Sequence, residues 1–170
     1  MSLGDSKVDT TRMEELYQEI ATEINMIIPE QWSEVLLYSE VEEHSDATFF
    51  YYYPMGKTTP IYSLDIEDIE GVDVEEVDNG LSNLSDLLRK LWNEFIVNKQ
   101  EPWKSLNFIL NSEGKFNIQY RYEDLEKDGY DYVDRVAIWE YEKLNMLPKS
   151  TDVSGIELIE NYKKKSSKGK

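Results

Sequence analysis

Between Asp65 and Asp78 the chain places eight carboxylates in fourteen residues, DIEDIEGVDVEEVD, with no base among them. The first chemistry such a run invites is calcium binding. Asp65, Glu67 and Glu76 fall at the first, third and twelfth positions of a helix-loop-helix calcium site. Ile69, however, occupies the fifth position, where an oxygen ligand is needed. Gly71 comes one residue late, so Glu70 would have to make the sharp turn, and the loop geometry fails. Two readings remain: a solvated acidic loop, or a face that imitates a run of phosphates opposite a basic cleft. On the second reading charge speeds encounter and enforces specificity, while interleaved apolar residues anchor the complex. Asp65, Glu67, Asp68, Glu70, Asp73, Glu75, Glu76 and Asp78 are then the candidate partner contacts.

Other chemistry is poorly supplied. His44 is the sole histidine, set in a polar turn beside Glu42, Glu43 and Asp46 without a second imidazole to share a metal or a proton relay. The pairs Glu42-Glu43, Glu75-Glu76 and Glu123-Asp124 lack the shared pocket that drives two carboxyl pKa values apart in a hydrolase. With no Cys, disulfides and thiolate zinc sites are excluded. No cofactor or metal is expected.

The wider composition points the same way. There are 35 Asp and Glu against 18 Lys and Arg, for a net charge of −17. Five of the lysines lie in the last eight residues, KKKSSKGK, so the body up to Tyr162 carries 13 bases against 35 acids. Such a surface repels nucleic acid and anionic membranes and attracts basic partners over about 8–10 Å. No apolar run approaches the roughly 20 residues of a membrane span, and no secretory h-region follows the start. A reducing, cytoplasmic compartment is expected. A hydrophobic fraction of 40% and 12 tyrosines are enough for a core.

The elements that must position these residues follow from apolar period. Met13, Leu16, Ile20, Ile24, Ile27 and Ile28 recur at helical spacing over 11–28, with Thr11 and Glu14 spaced as a capping box and Pro29 as the stop. Residues 32–42 alternate as a strand, Val35, Leu37 and Val41 on one face and Leu36 and Tyr38 on the other. The run from Ala47 to Tyr53 completes a hairpin, and Ile61 to Leu64 reads as a third short strand. The acidic segment keeps neither period and has no assignment. A second helix spans Leu81 to Val97. A second hairpin joins the strand containing Leu106, Phe108 and Leu110 to one containing Phe116, Ile118, Tyr120 and Tyr122, through Asn111-Ser112-Glu113-Gly114. A third helix covers 132–146, with Val133, Val136, Trp139 and Leu144 inward, and a short final helix runs from Ser154 to Tyr162. The expectation is one α+β domain over 11–162, a mainly antiparallel sheet of about five strands with packed helices. Residues 1–10 read as a vector-like remnant or disordered start, and 163–170 as a flexible Lys-rich tail.

The stretch from Leu87 to Leu125, LLRKLWNEFIVNKQEPWKSLNFILNSEGKFNIQYRYEDL, resembles the core of the YezG-like immunity family. A helix with Phe95 near its end is followed by Glu101-Pro102-Trp103, an alternating strand, Gly114-Lys115-Phe116, Tyr120 and Tyr122-Glu123. The similarity extends to Ile28-Pro29 and Trp32 upstream, and to Arg135, Trp139, Tyr141, Leu147 and Pro148 downstream. The resemblance implies a small cytoplasmic antitoxin of Gram-positive bacteria. Such a protein binds the basic C-terminal nuclease domain of a cognate toxin exported by the type VII pathway, and inhibits it stoichiometrically without catalytic residues. The acidic run 65–78 departs most from the family pattern, and its role as a contact rests on charge. The alternative is an acidic adaptor for another basic macromolecule; a hydrolase has only carboxylate abundance behind it.

Overall fold

The structure, a computed structural model, describes residues 10–168. The expected remnant at 1–10 therefore lies outside the described residues except for Thr10. The chain divides into two compact units, one ending at Glu123 and one starting at Asp124.

In the first unit the order is α1 (Thr11–Ile27), β1 (Trp32–Glu42), β2 (Ser45–Pro54), β3 (Ile61–Tyr62), a 3-10 turn (Ser63–Asp68), α2 (Val74–Val97), β4 (Ser105–Asn111) and β5 (Phe116–Arg121). The strands form one antiparallel sheet in the order β3-β2-β1-β4-β5. Side chains alternate across a strand, so the register assigns each residue its face. Val35, Leu37, Val41, Phe50, Tyr52, Leu106, Phe108 and Leu110 share one face. They form a single buried cluster with Leu16, Ile20 and Ile24 of α1 and Leu84, Leu88 and Leu91 of α2. Each such side chain contributes about 1.5–3 kcal/mol on burial. On the other face, Tyr38 opposes Phe49 with ring centroids 5.7 Å apart, and Tyr51 meets Tyr62 at 5.1 Å.

Several local contacts fix this arrangement. Ile28 leaves α1 in an extended conformation, as a residue before proline should. The expected Thr11-Glu14 capping box is absent: Thr10 is the N-cap residue, its side chain makes no capping bond, and Thr11 is already helical. Where α1 crosses α2, a Cβ built on Gly80 would lie 2.7 Å from Ile27 Cγ1. Arg89 of α2 grips the β1–β2 turn, its Nη1 donating to Glu42 O at 2.7 Å and its Nη2 to Ser45 O and Asp46 Oδ2 at 3.1 and 2.8 Å. Trp32 donates to Asn25 Oδ1 at 3.0 Å, and Trp92 to the carbonyl of Trp103 at 2.9 Å. Trp103 is fully buried, and its own Nε1 has no partner among the described residues.

The second unit contains α3 (Tyr132–Leu144) and α4 (Val153–Lys168). Asp131 and Asp134 form a reciprocal capping box at the start of α3, and Asn145 ends it in the left-handed region at φ 54°. Val133, expected inward, is 73% exposed. Ile138, Trp139 and Leu144 are the buried positions of α3; at about 100° per residue Val133 shares the arc of Leu144, but it sits in the first turn and stays exposed there. The last helix runs on to Lys168, beyond the Tyr162 at which its apolar pattern stops. Lys163 Nζ sits 5.0 Å from the Tyr141 ring centroid and Lys165 Nζ 5.4 Å from that of Tyr130. Cations in a last helical turn also suit the helix dipole.

Candidate partner-binding site

The acidic segment, left unassigned by its sequence pattern, consists of three pieces. Ser63 opens the 3-10 turn and accepts a hydrogen bond from Phe50 N at 3.2 Å, tying the segment to β2. Ile66 is fully buried in the core, while Ile69 and Val72 pack partly against it. Gly71 turns the chain at φ +85°, a conformation that L side chains rarely adopt. Asp73 then caps α2, its Oδ1 accepting from Glu75 N at 3.0 Å and Glu76 N at 3.3 Å. Thus α2 starts at Val74, seven residues ahead of the Leu81 expected from the apolar stripe. Glu75 and Glu76 lie in its first turn, where the helix dipole favours negative charge.

Apart from the exposed Val74, apolar residues point in and acids point out along this path. Asp65, Asp68, Glu70, Asp73, Glu75, Glu76 and Asp78 are exposed and Glu67 is half-buried. Two acids from different elements meet: the Glu67 carboxyl is pushed above its ordinary range, chiefly by its hydrogen bond with Asp78, then by partial desolvation, then by the negative charges of Asp78 and Asp68. Asp73 differs from the rest because its carboxylate is occupied by backbone amides. Among the described residues no cluster of three or more potential ligands is placed to hold a metal ion. The arrangement does not build an acid/base pair in a pocket. It presents fixed negative charge to solvent.

The fold adds carboxylates that a linear reading separates. Between α1 and α2 lies an open groove of about 450 Å³ lined by Glu19, Glu23 and Asp86, with Lys90 as its one base among the lining residues. Glu23 Oε1 lies 3.5 Å from the Cβ position of Gly80, two residues past Asp78. The sequence showed only that each is outward-facing: Glu19 and Glu23 fall off the α1 apolar stripe, and Asp86 falls off that of α2. His44 lies in the β1–β2 turn with its side chain 89% exposed, 3.9 Å from Glu43. No helix among the described residues is long and apolar enough to cross a membrane.

A family model described as immunity protein YezG-like matches residues 13–159, nearly the whole described chain. The chain belongs to the YezG-like immunity protein family. It is 34% identical over 155 residues to an immunity protein YezG of Bacillus spizizenii, covering 91% of this chain and 95% of the relative. It is also 34% identical over 140 residues to immunity protein YezG of Bacillus subtilis strain 168, with 82% and 93% covered. A more distant relative is the type VII secretion system protein EsaG of Staphylococcus aureus, 26% identical over 152 residues with 89% and 93% covered. These YezG-like proteins match both units, since the family region begins within α1 and ends within α4.

Proposed function

We propose that this YezG-like protein is an antitoxin that binds the C-terminal nuclease domain of a cognate exported toxin and inhibits it by forming a stoichiometric complex in the cytoplasm. Membership of an immunity protein family supports the antitoxin part, and the name of its EsaG relative supports a link to type VII export. Exposed carboxylates between Asp65 and Asp78, on a chain of net charge −17, carry the rest. An enzyme that grips phosphates presents a basic cleft, and fixed carboxylates on a rigid scaffold occupy such a cleft as competitors of the substrate backbone. Asp65, Glu67, Asp68, Glu70, Glu75, Glu76 and Asp78 are the proposed contacts. Asp73 contributes by holding the start of α2. The carboxylates steer the encounter, and desolvated apolar contacts hold the complex.

The test uses the full chain and the C-terminal domain of the toxin encoded beside it, titrated in a nucleic-acid cleavage assay. Loss of cleavage at one equivalent is expected. Undiminished cleavage at molar excess refutes the proposal.

A further inference from the structure

Most apolar residues in and beside the acidic segment face the core, but two do not. Ile66 and Val77 are buried and Ile69 and Val72 half-buried, whereas Leu64 is 55% exposed and Val74 46% exposed. Valine is also a weak helix former, so the exposed start of α2 gains nothing from it.

Backbone geometry sets both residues beside the same pair of acids. Residues three apart eclipse in a 3-10 turn, so Leu64 and Glu67 share a side of it. Residues four apart share a face of an α-helix, so Val74 stands one turn before Asp78 on α2. The Glu67 and Asp78 carboxyls are hydrogen-bonded to each other. Leu64, Glu67, Asp78 and Val74 therefore follow one another across the junction of the turn and the helix, with an apolar residue at each end. The charge here is not cancelled locally. Among the described residues none of the carboxylates from Asp65 to Asp78 forms an ion pair. Arg89, the next base along the chain, is held by the β1–β2 turn.

We propose that Leu64 and Val74 are the apolar anchors of the partner-binding face, and that their occupant is a lysine or arginine side chain of the toxin domain, its aliphatic stem on both anchors and its charged end at Glu67 and Asp78. This rests on the antitoxin reading and names what holds the complex. Charge selects this occupant. A purely apolar partner surface would bury carboxylates without a counter-charge, which is costly. A second copy presenting this same face would bring the same uncompensated acids, and like charges repel. Long basic side chains suit the mixed surface, because their methylene stems pack on apolar groups while the charged head stays in water. At so exposed a position the head contributes little to affinity. Packing of the stem against Leu64 and Val74 slows dissociation.

The test measures both rate constants of the full chain with the C-terminal domain of the toxin. Leu64→Ala combined with Val74→Ala should speed dissociation at least about tenfold while association changes less than about twofold. Val97→Ala, at a 70% exposed position near the far end of α2, is the control and should leave both rates unchanged. The two anchors are exposed, so melting of the double variant should stay within about 2 °C of wild type. If it falls further, Val74→Ala alone decides: it improves helix propensity and should still speed dissociation at least about threefold. Unchanged dissociation, with the wild type bound, overturns the anchors and leaves the antitoxin reading intact. Equal acceleration by Val97→Ala also overturns them. Self-association of this chain alone that the double variant abolishes assigns the anchors to a second copy and overturns the proposal. A wild type that neither binds nor inhibits the toxin domain overturns both readings.

Discussion

Replacing Arg89 by Ala tests how the β1–β2 hairpin is fastened to α2. The guanidinium makes two hydrogen bonds to backbone carbonyls, Glu42 O and Ser45 O, and one to Asp46 Oδ2. It also lies 5.3 Å from the Trp92 ring centroid. A hydrogen bond contributes about 0.5–1.5 kcal/mol net. The ion pair, with Asp46 more than a third exposed, adds about 0.2–1 kcal/mol after screening. The cation–π contact adds about 0.5–1 kcal/mol. Because the contacts share one group they are not additive, and a loss of about 2–3 kcal/mol is expected. In a chain of this length that lowers Tm by about 6–9 °C. Urea unfolding followed by circular dichroism reads it directly. Asp46→Asn isolates the ion pair and should cost under about 1 kcal/mol. Arg89→Lys keeps the charge but loses the fork, and should fall between the two. An Arg89→Ala midpoint within 2 °C of wild type, roughly the shift of a neutral surface change, would refute the clamp.

Other perturbations probe the site and the scaffold. Glu67→Gln should remove a pH dependence. The folded pKa of Glu67 is raised, so its ionisation disfavours the folded state as pH climbs from the unfolded value, about 4.3, through the higher folded one. The stability of Glu67→Gln relative to wild type should therefore increase from pH 4 to pH 7, and a gap independent of pH contradicts this. Glu67→Gln, Asp68→Asn, Glu75→Gln and Glu76→Gln together should slow association with the toxin domain at low salt by about tenfold or more and change dissociation little; an unchanged on-rate in stopped-flow moves the contact to another surface. Gly80→Ala gains about 1 kcal/mol of helix propensity but overpacks Ile27, typically by about 1–3 kcal/mol, so a net loss of about 1 kcal/mol is expected. A stabilised Gly80→Ala variant would show that α1 yields at the crossing.

Regular periods made most of the fold legible. The alternation of Val35, Leu37 and Val41, and of Leu106, Phe108 and Leu110, survives into the sheet because one face of each strand is buried by α1 and α2. What escaped were places where the backbone changes type within a few residues. From Asp65 to Asp78 the chain passes through a 3-10 turn, a left-handed glycine and the first turn of α2, so no single period can appear. The signal for the early start of α2 was the spacing Asp73 to Glu76, an acidic N-cap with Glu at the third helical position, extended by Val77, Leu81 and Leu84. Gly80 masked it, since glycine argues against a helix unless a neighbour needs the room. Val133 was misplaced for a different reason: it lies on nearly the same arc as the buried Leu144, and its exposure reflects its place in the first turn of α3, which no period encodes. The groove carboxylates Glu19, Glu23 and Asp86 meet only through helix packing, which no local pattern encodes.

Along 65–78 the residues that guide the backbone and those that display charge are different residues. Ile66, Ile69, Val72 and Val77 with the Asp73 cap set the path, while most of the remaining carboxylates hang from it without shaping it. On the proposed function, the outward acids can therefore be exchanged one at a time to suit an altered partner, with the melting temperature of the scaffold left nearly untouched. Asp73 is the exception, an acid whose replacement would unseat the start of α2.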